Sequence, residues 1–161
     1  MSTRRLLSRL APLPAAAVLL AAAGCSSSDA AATITVPSPS KDVSAMCGKL
    51  HEELPDTLAE MDRVDPKPDS SLTAGWGGSA IVLRCGVPRP AKMSDPAQDG
   101  VDVNGVSWLL EKLPEGGFRL TTSLRLAYVE VVFGKEYAGD LGPLTDLAGP
   151  VKKTIPTGIA D

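Results

Sequence analysis

Aromatic side chains are scarce: two Trp, two Tyr and two Phe make up 4 % of the 161 residues. A core must therefore be built from Val, Leu and Ile, and each indole needs a specific place. The chain has one histidine, His51, and three cysteines. One His and two structurally paired Cys cannot supply the three or four ligands of a zinc site. A histidine-dependent nucleophile is also missing its motif, because Gly77-Gly78-Ser79-Ala80-Ile81 lacks the closing glycine of Gly-x-Ser-x-Gly. No Walker loop or dinucleotide fingerprint occurs, since Gly75-Trp76-Gly77-Gly78 precedes a strand rather than a helix. No cofactor is expected. The basic residues form no cluster beyond Lys152-Lys153, which excludes nucleic acid as an electrostatic partner. What the chain does have is glycine (15) and proline (14), hence many loops, and 43 % apolar residues, enough for one ordinary domain plus processing segments.

The longest apolar run, Leu10 to Ala23, follows the basic residues Arg4, Arg5 and Arg9. Its helical rise of about 21 Å is short of the ~30 Å bilayer core, so it reads as a cleaved leader rather than a permanent span. The run ends in Ala22-Ala23-Gly24-Cys25, which resembles the bacterial lipobox with Ala where an aliphatic residue is more usual, and Ser26-Ser27-Ser28-Asp29 follows. Cys25 is the expected lipidation site; an ordinary secretory cleavage near Cys25 is the alternative. Thr3-Arg4-Arg5 is similar to the start of a twin-arginine signal, with Leu7 and Ser8 in place of Phe-Leu, which leaves the export route open. Losing residues 1–24 removes three cations and leaves 13 Lys plus Arg against 19 Asp plus Glu, a charge of −6. The expected membrane attachment is therefore lipid, and the two or three acyl chains satisfy the need for more than one. Residues 25–40, rich in Ser, Ala and Pro, are expected to be a tether.

From residue 41 the pattern predicts one α+β domain over 41–157, with a tail at 158–161. Val43, Met46, Cys47, Leu50 and Leu54 recur at helical spacing behind Ser40 or Asp42, and Pro55 stops the run. Leu58 and Met61 extend this as another short turn, and 65–71 form a proline-rich loop. Trp76 to Pro90 is the predicted central strand: Ile81, Leu83 and Cys85 alternate with Val82 and Arg84 after a glycine-rich approach. Asn104-Gly105 marks a hairpin pairing Val103 with Val106 and Val101 with Trp108. Leu109 to Leu113 and Phe118 to Thr122 form a second hairpin, and Ala127 to Phe133 alternate as a further strand. Leu144, Leu147, Ala148, Val151 and Ile155 make a C-terminal helical stripe, kinked or split by Pro150. The expected fold is a mainly antiparallel sheet of four to five strands with an N-terminal and a C-terminal helix packed on it.

Leu54-Pro55, Ala74-Gly75-Trp76-Gly77, Ile81-Val82-Leu83-Arg84-Cys85-Gly86-Val87-Pro88, Val103-Asn104-Gly105-Val106-Ser107-Trp108 and Tyr128-Val129-Glu130-Val131 together resemble the actinobacterial family DUF3515 over Val43 to Ile155. The resemblance implies a small, often lipid-anchored envelope domain without an assigned activity, so no catalytic residue carries over.

With Cys25 acylated, Cys47 and Cys85 are the remaining pair, and export predicts a disulfide between them; free buried thiols are the alternative. His51, one turn after Cys47, is expected to be structural. Asp95, Asp99, Asp102 and Asn104 have the wrong spacing for a calcium loop and read as solvated loop residues. The two indoles either fill the aromatic-poor core or, for Trp76, mark a partner surface at Gly75, Trp76, Gly77 and Gly78 with Arg84 as its cation. The expected function is a non-catalytic interaction module on the outer face of the cytoplasmic membrane, binding an unknown envelope protein or cell-wall component. A cell-wall hydrolase or other envelope enzyme is the alternative.

Overall fold

The structure, a computed structural model, describes residues 30–137 and 139–160. The leader and Cys25 lie outside the described residues. Ser40 opens helix α1 (Lys41–Glu53), its hydroxyl accepting from the Val43 N–H at 3.4 Å; that amide has no carbonyl one turn earlier to bond. Cys47 and Leu50 on its inner stripe are buried. The predicted turn at Leu58 and Met61 is instead a small hairpin, β1 (Thr57–Leu58) and β2 (Met61–Asp62). Ala59 and Glu60 lie at φ 51° and 61°, and two left-handed residues in succession reverse the chain, which a helix does not do.

The next strand, β3 (Thr73–Trp76), was not foreseen. It is followed by β4 (Ile81–Cys85), so the glycine-rich approach is a hairpin turn, with Gly77 and Gly78 at φ 58° and 69°. All four residues of β3 are buried, which erases the alternation by which a half-exposed strand is recognised. A 3₁₀ turn at Ala91–Ser94 precedes β5 (Gly100–Val103) and β6 (Val106–Lys112), then β7 (Phe118–Thr122) and β8 (Val129–Phe133). The main sheet has six strands in the order β3-β4-β8-β7-β6-β5, all neighbours antiparallel. The expected four or five fall short because β3 was missed. The Asn104-Gly105 turn has the predicted register, Val103 opposite Val106 and Val101 opposite Trp108, with φ 51° and 78° at its two central residues.

Helix α2 (Leu144–Thr154) runs through Pro150 without a break. The hydrogen bond proline cannot donate would have gone to the carbonyl of Asp146, an exposed residue, so the orphaned acceptor is left on the solvent side. Leu144, Leu147 and Val151 are fully buried, each contributing about 1.5–3 kcal/mol relative to exposure. They join Cys47, Leu50, Ile81, Leu83, Val106, Trp108, Leu120, Val131 and Phe133 in one core between the helices and the inner face of the sheet. Cys47 and Cys85 are bonded with their Cα atoms 5.5 Å apart, stapling α1 to β4 as predicted. Arg125, only 6 % exposed, donates to the carbonyls of Ile155 (2.9 Å) and Gly105 (3.0 Å). Its charge sits at the C-terminal end of α2, the negative end of that helix dipole.

The expected tether is corrected in its second half. Lys67 N–H donates to the Ala32 carbonyl at 2.7 Å and Ile34 N–H to the Lys67 carbonyl at 3.0 Å. Farther on, Pro39 packs against Gly86, which lies at φ 85°; a Cβ on that glycine would stand 2.6 Å from Pro39 Cγ. The domain thus begins at Ala32 rather than 41. It also includes part of the predicted tail, since Gly158 N–H donates to the Leu124 carbonyl at 3.0 Å.

Candidate functional site

Trp76 is not a recognition residue. It is 0 % exposed, and its indole N–H donates to the Pro55 carbonyl at 3.0 Å. The close backbone approach expected of a partner at Gly75 is made by the chain itself. Val64 N–H donates to the Gly75 carbonyl at 2.9 Å, and a Cβ on Gly75 would lie 2.8 Å from Val64 O. Gly78 is buried and Gly77 half-buried under Met61. The predicted partner surface is therefore filled by the β1–β2 arm and its extension, because glycine admits any backbone, own or foreign.

His51 has a similarly internal role. Its Nδ1 lies 3.1 Å from the Thr73 carbonyl, and Arg63 Nη2 stands 3.0 and 2.9 Å from its Nδ1 and Nε2. Arg63 also donates to the His51 carbonyl and, from Nε at 2.8 Å, to Asp65. These bonds tie α1 to β3 and to the arm. Asp95 lies in a loop as expected and accepts from Ala97 N–H, whereas Asp102 lies in strand β5 and accepts from Gly105 N–H, so both serve local turns. Among the described residues no three His, Cys, Asp or Glu converge as metal ligands, and no helix is long and apolar enough to cross a membrane.

Arg84, by contrast, leads to a site. Alternation along β4 puts it on the outer face, away from the helices, beside Glu130 of β8 in register. Its Nε donates to Glu130 Oε1 at 2.9 Å, and its Nη2 is 2.7 Å from the same oxygen. Arg119 of β7 approaches the other carboxylate oxygen, Oε2, from Nε at 3.4 Å. The Glu130 side chain is 9 % exposed, while those of Arg84 and Arg119 are 30 % and 40 % exposed. One largely buried carboxylate is thus shared by two cations that remain open to solvent. Arg84 is hydrogen-bonded; the Arg119 guanidinium makes no hydrogen bond among the described residues. The Thr121 hydroxyl, next on β7 on the same face and in register with Glu130, is also buried and unpaired.

Two adjoining depressions meet at this triad. One, about 350 Å³, has Val82 and Val132 on its floor and Ala32, Thr33 and Ile34 along one wall. The other, about 320 Å³, is bounded by Pro88, Pro90 and Ala91, and by Lys92, whose ammonium is 3.2 Å from Glu111. Both volumes fall at the low end of small-ligand sites. The loop after β4 and the N-terminal segment therefore form banks of a groove whose bed is β4, β8 and β7. Chemically it offers two neighbouring guanidinium groups beside aliphatic side chains, a combination suited to holding an anion attached to an apolar group. Sequence reasoning named Arg84 but attached it to the wrong feature, and it missed Arg119 and Glu130. Glu130 was visible on the mixed face of its strand; its partners depend on a strand order that periodicity does not encode.

No curated protein and no solved structure matches the chain. A family model described as protein of unknown function (DUF3515) matches residues 10–159, well beyond the span from Val43 to Ile155, and the chain belongs to that family.

Proposed function

We propose that this protein is a lipid-anchored, non-catalytic binding module on the outer face of the cytoplasmic membrane, held by an acylated Cys25 and engaging an envelope protein or a cell-wall component through the outer face of its sheet. The observation that carries the reading is the groove, where Glu130 fixes Arg84 and leaves the Arg119 guanidinium with unused donors. Arg84, held by Glu130 and still open to solvent, loses little freedom when it binds, while Arg119 beside it supplies donors that Glu130 does not use. The anchor is supported by the basic leader, the apolar run and Ala22-Ala23-Gly24-Cys25. An oxidising compartment is supported by the Cys47–Cys85 bond.

The anchoring also bears on what the groove can reach. The chain joins the domain at Ala32, one wall of the groove, and the seven residues from Cys25 reach at most ~25 Å when fully extended. An acylated Cys25 would therefore keep the groove near the headgroups rather than deep in the wall. The test is incubation of the mature chain carrying Cys25→Ser, so that no acyl chain inserts, with isolated wall fragments and, separately, with washed membranes. Retention on one of them with no change in the mass of its components is expected. Released products, or no retention on either, overturns the reading.

A further inference from the structure

We propose that the groove receives the C-terminal end of an extended peptide, its terminal carboxylate on Arg119 and its backbone paired with Thr33. This rests on the binding reading above and names the ligand.

Two independent features converge on it. The first is the cation. Among the described residues the Arg119 guanidinium makes only the 3.4 Å contact to Glu130, without a hydrogen bond, and Glu130 gives its other oxygen to Arg84. Its remaining N–H groups form the planar fork that matches a carboxylate.

The second feature is an unused strand edge. In an extended chain, successive residues point their N–H and C=O groups to opposite sides. Thr33 bridges Lys67 in parallel, and both bonds to Lys67 come from its neighbours, the Ala32 carbonyl and the Ile34 N–H. The N–H and C=O of Thr33 thus point away from Lys67, and Thr33 is exposed and lines the depression that also holds Arg119. A free donor–acceptor pair on an extended segment is a template for adding one more strand. Val82, Val132 and Ile34 along the same depression provide an apolar seat for the last side chain. A small free anion would use Arg119 alone, whereas a peptide end uses the cation, the edge and the apolar floor together. The cavity of about 350 Å³ admits a short segment rather than a folded domain.

The experiment titrates the full mature chain with tripeptides ending in Gly, Ala, Val or Leu, each as free acid and as C-terminal amide, followed by calorimetry and by the amide resonance of Thr33. At least one free acid binds saturably and shifts Thr33, and its amide binds at least about tenfold more weakly, since a hydrogen-bonded charge contributes ~1.5–3 kcal/mol. Arg119→Gln produces the same loss. Thr33→Pro, which removes a donor that the fold itself does not use, weakens binding while leaving the melting temperature unchanged. Acids and amides binding alike, or no saturable binding by any acid to folded wild type, overturns the proposal. If the Cys25→Ser chain is still retained on wall or membrane in that case, the binding reading stands and only the peptide assignment falls.

Discussion

Replacing Trp76 by alanine separates a core indole from a recognition indole. Trp76 has no exposed surface and packs in the main core. Truncating a buried aromatic to alanine costs ~3–5 kcal/mol through lost burial and the cavity that remains. The indole N–H also satisfies the Pro55 carbonyl at 3.0 Å, and losing that bond adds ~1 kcal/mol. For a domain of this size ~3 °C of melting temperature corresponds to each kcal/mol, so Trp76→Ala should melt roughly 12–18 °C below wild type. Trp76→Phe keeps most of the buried ring and loses the hydrogen bond, so its expected deficit is only about 1–2 kcal/mol. Thermal melts followed by circular dichroism measure both. An alanine variant melting within ~3 °C of wild type would refute the placement of Trp76 in the core and restore the Gly75–Ser79 turn as a candidate contact surface.

Replacing Cys47 and Cys85 together by alanine should lower stability by up to ~4 kcal/mol, from the loop closed by residues 38 apart, as read from denaturant midpoints; unchanged midpoints would show that the pair is not formed. Cys25→Ser should move the protein from the membrane fraction to the soluble one, and a variant still sedimenting with membranes at the same mobility would remove the acyl anchor from the account. Tyr137 should ionise above 10.0, because desolvation and then the charges of Glu136 and Asp140 disfavour the phenolate. Folding holds that proton more tightly, so its contribution to stability is complete below pH 10 and disappears as pH rises through the folded value; absorbance at alkaline pH, compared with Tyr137→Phe, should lack this late step in the variant.

The residues differ in how much of their role could be read in advance. Asn104-Gly105 sets its own hairpin register, because the turn type demands two left-handed residues wherever it lies. The same holds for Ser40 as a cap and for the stripe of α2, both governed by local geometry. Thr73–Trp76 was unreadable because all four residues are buried, with Arg63 and Val64 pairing along its outer edge, so no exposed residue alternates with a buried one. Ala59 and Glu60 gave no warning of a turn, since neither is a residue type that favours positive φ. Arg119 and Glu130 were legible only as members of separate strands. Their meeting needs β7 beside β8 and β8 beside β4, an arrangement fixed by long-range packing. The tether was misread for a related reason: its bonds go to Lys67, some thirty residues away, and nothing in a run of Ser, Ala, Thr and Pro announces them.

The central claim is that the protein works through the outer face of its sheet. The measurement that tests it is retention of the Cys25→Ser chain, which carries no acyl anchor, on isolated wall and membrane fractions, alone and combined with Val82→Trp or Lys153→Glu, with melting temperatures recorded alongside. Val82→Trp fills the depression over β4 and β8, whereas Lys153→Glu alters the solvent side of α2, where the ammonium contacts Glu53. Val82→Trp is expected to abolish retention while remaining folded, and Lys153→Glu to be retained like the Cys25→Ser parent. Equal retention of Val82→Trp and that parent would overturn the assignment of the outer sheet face.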